Sequence, residues 1–160
     1  MIKKIVCCMI CIFLFSGCFD TGSFEKGNIK EEEVIYRLNE HILKEEWNMD
    51  FLNENVWEQQ RIENNYGINI HQFENVYIFS SVLASQMEEV AFFHVDTSNV
   101  NIAKQAVSQR KKALLEEAKT QKMDEKILEK TMWEGKIGEY YCFLVGTDTE
   151  KVVHYLYSLT

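Results

Sequence analysis

The chain has 160 residues, of which 17 are Lys or Arg and 25 are Asp or Glu, giving a formal charge of −8 at pH 7. This acidity argues against a nucleic-acid partner, because Lys and Arg neutralise the phosphates in such complexes. The hydrophobic content of 46% is that of a globular protein and not of a disordered chain. The length indicates one domain, and the absence of proline excludes a polyproline stalk.

The N-terminus has the pattern of a secretory signal peptide. Lys3 and Lys4 precede an eleven-residue run, residues 5–15, that carries no polar side chain. A helix that spans a bilayer needs about 20 apolar residues, so this run is too short to serve as a permanent anchor. We therefore predict that residues 1–17 are a signal peptide.

Cys18 follows two small residues. The segment Phe15-Ser16-Gly17-Cys18 resembles the bacterial lipobox, although Phe15 replaces the usual Leu. The resemblance implies cleavage between Gly17 and Cys18 and a diacylglycerol, with palmitate-type chains, on the Cys18 thiol. Because two acyl chains hold a protein stably at a membrane, we expect a lipid anchor on the extracytoplasmic face of the cell membrane.

Residues 18–30 have two glycines and no hydrophobic period, which predicts a lipidated N-terminus and tether. Residues 31–160 are predicted to form a single α+β domain. Its first helix covers residues 31–47, with three glutamates at the start that suit the positive end of the helix dipole. A second short helix, marked by Val56 and Ile62, is predicted before Gly67, which we expect to adopt the left-handed conformation that ends a helix.

Residues 76–80 and 89–95 are rich in strand-favouring side chains and predict an antiparallel hairpin with a break near residues 85–86. One of the residues 97–99 is expected to cap the long helix that follows. That helix carries an apolar stripe, which comprises Val100, Ala103, Val107, Leu114 and Ala118.

Beyond this helix, residues 124–130 predict a further helical turn. Residues 131–134 and 139–145 then predict two strands arranged about the glycines Gly135 and Gly138. Asp148 or Thr149 is expected to cap a final amphipathic helix.

The order of hairpin, helix, hairpin, helix predicts an α+β fold with about four mainly antiparallel strands and helices packed on the sheet. Residues 76–79 and 140–145 are apolar at both parities, whereas a sheet with one solvated face should alternate. Either helices cover both faces, which we favour, or one face keeps an aromatic patch for a partner.

Four lysines of the long helix lie on one side of its helical wheel. They are candidates for contact with anionic headgroups or wall polymers, and the commoner alternative is a solvated helix face. These residues are Lys104, Lys111, Lys112 and Lys119.

No catalytic residue, metal site or cofactor is predicted. No two of the four histidines lie within four residues of each other, so local metal-ligand spacing is absent. His94 is expected to be a hydrogen-bonded histidine at the edge of the core. Cys142, the one cysteine downstream of Cys18, is expected to pack in the core. The three acidic doublets, at residues 45–46, 88–89 and 116–117, are interpreted mainly as solvated faces.

Several motifs occur in the order found in a known family. These are the lipobox, the acidic first helix, Tyr66-Gly67-Ile68, the strand at residues 89–93, the Lys- and Glu-rich helix and the strand at residues 138–145. Over roughly residues 50–160 the chain resembles the domain of unknown function 4358 family of small Gram-positive lipoproteins. The resemblance implies a cell-surface lipoprotein and carries over no catalytic residue.

We expect a non-enzymatic interaction or accessory protein with a protein partner at the cell surface. The alternative is an extracytoplasmic small-ligand binder or enzyme whose site is assembled only by folding.

Overall fold

The computed structural model describes residues 31–44, 56–81 and 87–158. The predicted signal peptide, the tether and residues 45–47 of the first helix lie outside these ranges. The described elements are α1 (Glu31–Lys44), α2 (Gln59–Tyr66), a 3₁₀ turn (Ile70–Gln72), β1 (Val76–Ser80), β2 (Glu89–His94), α3 (Val100–Thr120), α4 (Glu125–Lys130), β3 (Met132–Ile137), β4 (Tyr140–Val145) and α5 (Thr149–Ser158).

The four strands form one sheet in the order β1-β2-β4-β3, and every neighbouring pair is antiparallel. The two predicted hairpins, β1–β2 and β3–β4, are joined through the central pair β2–β4. In that pair Phe92 lies opposite Cys142. These features confirm the α+β prediction.

Helices pack on both faces of the sheet. On one face α2, α3 and α4 enclose a core that includes Tyr66, Phe93 and Phe143. On the other face α1 and α5 contribute Leu38 and Leu156 to a second core. The strands are apolar at both parities because each parity faces a helical layer.

Two boundaries differ from the sequence prediction. β3 continues through Gly135 to Ile137, so Gly135 is a strand residue rather than part of a turn. A Cβ atom on Gly135 would lie 2.6 Å from Trp133 Cζ2, because the indole lies over the glycine. Val56, expected to mark the second helix, instead forms a β-bridge with Phe79.

The helix ends are fixed by local hydrogen bonds. Gly67 has a φ of 65° and its N–H donates to the Glu63 carbonyl at 2.9 Å, which confirms the predicted left-handed cap. Asp124 caps α4 by accepting from the Lys126 N–H. Within the described ranges, no helix is both long and apolar enough to cross a membrane.

Candidate functional site

The predicted lysine surface lies on α3. The apolar stripe of this helix is buried against the sheet, and the lysines lie away from it. None of the residues predicted for lipidation and cleavage, Gly17 and Cys18, belongs to the described ranges. Three of the four lysines are exposed, namely Lys104, Lys112 and Lys119, and Lys111 is half-buried.

Two of these lysines form ion pairs. Lys119 Nζ lies 2.7 Å from Glu116 Oε1 and 3.3 Å from Glu125 Oε2. The hydrogen bond to Glu116, followed by that to Glu125, raises the pKa of Lys119. Lys111 Nζ lies 3.6 Å from Glu134 Oε1. Neighbouring carboxylates therefore compensate half of the positive charge of this surface.

Lys104 and Lys112 are exposed and make no ion pair with another described residue. They are the two lysines of α3 whose charge is most accessible to an external anion.

A cluster that the sequence analysis missed lies beneath α3. Glu89 at the start of β2 and Arg110 on α3 are both buried and form an ion pair. Arg110 Nη2 donates to Glu89 Oε2 at 2.6 Å, and its Nε lies 3.1 and 3.2 Å from the two carboxylate oxygens. The Tyr66 hydroxyl donates to Glu89 Oε1 at 2.6 Å. We call Tyr66, Glu89 and Arg110 the buried ionic cluster.

Burial and charge shift the pKa values of Arg110 and Tyr66 in this cluster. Burial alone would lower the pKa of Arg110, but the hydrogen bonds and the charge of Glu89 outweigh it, so the pKa is raised. Burial, together with the Glu89 charge, raises the pKa of Tyr66 well above its ordinary value. Arg110 therefore stays cationic and Tyr66 stays protonated at physiological pH, which suits a permanent internal contact.

Trp57 packs against the buried ionic cluster. The guanidinium carbon of Arg61 lies 4.1 Å from the indole centroid and that of Arg110 lies 5.2 Å from it. The indole N–H donates to Ser80 Oγ at 3.0 Å. Two cations thus lie over one aromatic ring, an arrangement that stabilises charge in a partly desolvated position.

One sequence signal could have located Arg110. It lies three residues after Val107 and four before Leu114, in the middle of the apolar stripe of α3. A cation at such a position must find a buried anion, because an unpaired buried charge is costly. The doublet Glu88-Glu89, interpreted as solvated, is buried at both positions, and that interpretation was wrong.

His94 lies at the end of β2 between two carboxylates. Its Nδ1 is 3.2 Å from Glu74 Oε2, and its Nε2 is 3.6 Å from Glu139 Oε2. The second distance is too long for a hydrogen bond, which leaves Nε2 without one. Tyr140 packs edge-on against the imidazole with centroids 5.3 Å apart. His94 is half-buried, as predicted for a histidine at the edge of the core.

The other histidines lie elsewhere. His41 stacks on Tyr155 with centroids 3.9 Å apart, while His71 and His154 are exposed. In the described ranges no group of three or more His, Cys, Asp or Glu side chains is arranged to hold a metal ion.

Cys142 packs in the second core and is fully buried, as predicted. Burial raises the pKa of its thiol, which opposes thiolate formation. In the β2–β4 register His94 lies opposite Tyr140, two residues from Cys142 along β4. The Cys142 thiol points to the Tyr140 carbonyl oxygen at 3.8 Å and thus has a backbone contact.

One of three comparisons with known proteins identifies a family. A family model described as Domain of unknown function (DUF4358) matches residues 47–146, more than half of the chain. Searches of curated proteins and of solved structures found no match. The matched range ends just after β4 and contains the buried ionic cluster and the α3 lysines. The chain therefore belongs to the DUF4358 family.

Proposed function

We propose that the protein is a lipoprotein anchored to the extracytoplasmic face of the cell membrane through a diacylglycerol on Cys18. The observation that carries this proposal is the apolar run of residues 5–15 followed directly by Ser16-Gly17-Cys18. The run is too short to span a bilayer, whereas two acyl chains on one residue hold a protein stably. The resemblance to small Gram-positive lipoproteins supports the same location.

The anchored domain acts as a non-enzymatic interaction or accessory protein. Two contacts support this role. The Glu89 carboxylate is occupied by Arg110 and Tyr66, and the Cys142 thiol is enclosed in the second core. Both of these buried groups are therefore engaged within the fold, and we infer that what the domain offers a partner is its surface.

The exposed side of α3 is the part of that surface with the clearest chemistry. Lys104 and Lys112 carry charges that no described carboxylate compensates. Each lysine near an anionic membrane contributes about 1 kcal/mol of attraction. We assign these lysines to contact with anionic headgroups or wall polymers beside the anchor.

Metabolic labelling with an alkyne fatty acid tests the anchor. The wild-type protein and the C142A variant should both incorporate the label, and the C18A variant should not. Mass spectrometry of the native protein should find an N-terminal Cys18 carrying diacylglycerol. An intact Met1, or an unmodified thiol at Cys18, would show that the anchor does not exist.

The interaction role has a separate test. Affinity capture from membranes crosslinked in living cells should return the same partner in repeated trials and lose it when the crosslinker is left out. Repeated captures that return no specific partner would contradict the interaction role and leave the lipid anchor unaffected.

A further inference from the structure

The two edges of the sheet differ. On the outer side of β1, Val56 bridges Phe79, and the Trp57 N–H donates to the Ile78 carbonyl at 2.8 Å. β3 pairs with β4 on its inner side and has no strand on its outer side within the described part of the chain. β3 is therefore the edge that can accept another strand.

The backbone groups that face outward from β3 follow from its hairpin. Gly138 and Glu139 form a two-residue turn, so Ile137 and Tyr140 close it with mutual hydrogen bonds. Because these bonds alternate along an antiparallel ladder, the N–H and C=O groups of Glu134 and Lys136 face outward. The Tyr157 hydroxyl donates to the Lys136 carbonyl at 3.3 Å, which agrees with this assignment.

We propose that β3 pairs with β3 of a second copy of this chain, antiparallel, about a two-fold axis at Gly135. In this register Glu134 lies opposite Lys136 of the second copy, and Lys136 lies opposite its Glu134. The interface thus contains two identical pairs of opposite charge, and each copy supplies the glutamate of one pair and the lysine of the other, as a two-fold interface requires. On the other face of the strand Trp133 lies opposite Ile137 of the second copy.

Charge selects this register. An axis moved to Glu134 would place two glutamates opposite each other, and an axis at Lys136 would do the same with two lysines. Like charges directly opposite are unfavourable, whereas opposite charges stabilise the pair. At the axis the two Gly135 residues form a non-hydrogen-bonded pair, where Cα atoms approach to about 4.5 Å, and the Trp133 indole of each copy takes the place of the missing side chain.

Three contacts within one chain compete with the pairing. Tyr157 occupies the Lys136 carbonyl, Lys111 lies 3.6 Å from Glu134, and the Tyr141 hydroxyl donates to the Glu134 carboxylate. The first two contacts are long and lie at the surface. A six-residue strand also buries less area than a standard stable interface. The dimer is therefore weak and reversible, and it uses residues of the domain alone, independent of the anchor on Cys18.

Sedimentation equilibrium of the full chain in a density-matched detergent tests the pairing. The wild type should pass from monomer to dimer as its concentration rises. The K136E variant places two pairs of glutamates opposite each other, so its dissociation constant should rise about tenfold or more. The double variant E134K/K136E exchanges the charges and should restore the dimer. Circular dichroism verifies that each variant is folded.

Two further variants complete the test. K126E makes the same charge change on an exposed lysine of α4 and should leave the dimer unchanged. Y157F releases the Lys136 carbonyl and should tighten the dimer severalfold. A wild type that stays monomeric would overturn the proposal. A dimer that K136E weakens no more than K126E does, or that the double variant fails to restore, would overturn it equally.

Discussion

Arg110 and Glu89 meet in the core as a two-point ion pair, with Nη2 2.6 Å from Oε2 and Nε 3.1 Å from Oε1. The pair joins α3 to β2, and Tyr66 joins α2 to the same carboxylate. Three elements therefore meet at one polar point within an otherwise apolar layer. Because both charges are desolvated, the effect of a substitution on the free energy of unfolding depends on whether it removes one charge or both.

Removing Arg110 alone should destabilise the protein strongly. The R110M variant keeps the apolar volume of the side chain but leaves Glu89 buried without its cation. Breaking a buried pair in this way costs about 3–5 kcal/mol, so we expect a drop of that size in the free energy of unfolding. Urea titration at neutral pH, followed by circular dichroism, measures it.

The double variant E89M/R110M is the control for this prediction. It removes both charges, and similar replacements of buried ion pairs are often neutral or stabilising. We expect it to recover most of the stability that R110M loses. Equal losses in the single and double variants would mean that the pair acts through packing and not through charge.

Cys142 gives the protein a defined response to alkaline pH. Its thiol has a raised pKa in the folded state because of burial, so the unfolded chain releases this proton first. The contribution of this buried thiol to the free energy of unfolding is fully present below about pH 9, the ordinary pKa of a cysteine thiol. It is lost as the pH rises further. The slope approaches about 1.4 kcal/mol per pH unit for one group.

The C142A variant isolates this group. Its stability should be lower than that of the wild type at pH 8, and the difference should narrow by about 1.4 kcal/mol between pH 8 and pH 10. Above pH 10, Tyr66 and Tyr141 should destabilise both proteins, since burial raises the pKa of Tyr66, and burial together with Glu134 raises that of Tyr141 to about 12. Urea midpoints across this range test the prediction, and a constant difference would refute it.

Gly67 should tolerate asparagine better than alanine. Its φ of 65° lies in the left-handed region, which costs a residue with a Cβ atom about 1–2 kcal/mol but which asparagine adopts more readily. A Cβ atom would also lie 2.7 Å from Gln109 Oε1, the flexible end of a side chain that can move. We expect G67A to lose about 1–2 kcal/mol and G67N less, by thermal or urea unfolding. If instead the two variants lose the same amount and Q109A rescues both, contact with Gln109 sets the cost.

The contrast between Gly67 and Arg110 shows which features the sequence could predict. The left-handed cap depends on a glycine directly after a helix, so it is local and was predicted correctly. The cap that Asp124 makes on its own helix is equally local, although the sequence analysis predicted only the helical turn at residues 124–130. The pairing of Arg110 with Glu89 depends on how α3 crosses the sheet, since 21 residues separate the two in the chain.

The predicted end of β3 at residue 134 was wrong for a similar reason, since the strand continues to Ile137. A glycine within a strand resembles a turn unless the neighbouring indole of Trp133, which takes the space of a side chain, is known.

The exposed lysines of α3 should draw the domain to anionic surfaces. Two lysines at about 1 kcal/mol each correspond to roughly a thirtyfold change in affinity. The variant K104Q/K112Q, made in the unacylated C18A background, should therefore bind vesicles containing phosphatidylglycerol about thirtyfold more weakly than C18A alone. Co-sedimentation with vesicles at low salt measures this.

The matched control is K44Q/K151Q, which removes the same charge from α1 and α5 on the opposite face of the sheet. It should change vesicle binding little if α3 is the contacting helix, and binding to neutral phosphatidylcholine vesicles should be weak for every variant. Because exposed charges are screened by salt, the difference between the two double variants should shrink as ionic strength rises. An equal loss in both would show that attraction follows net charge and that α3 has no special part in it.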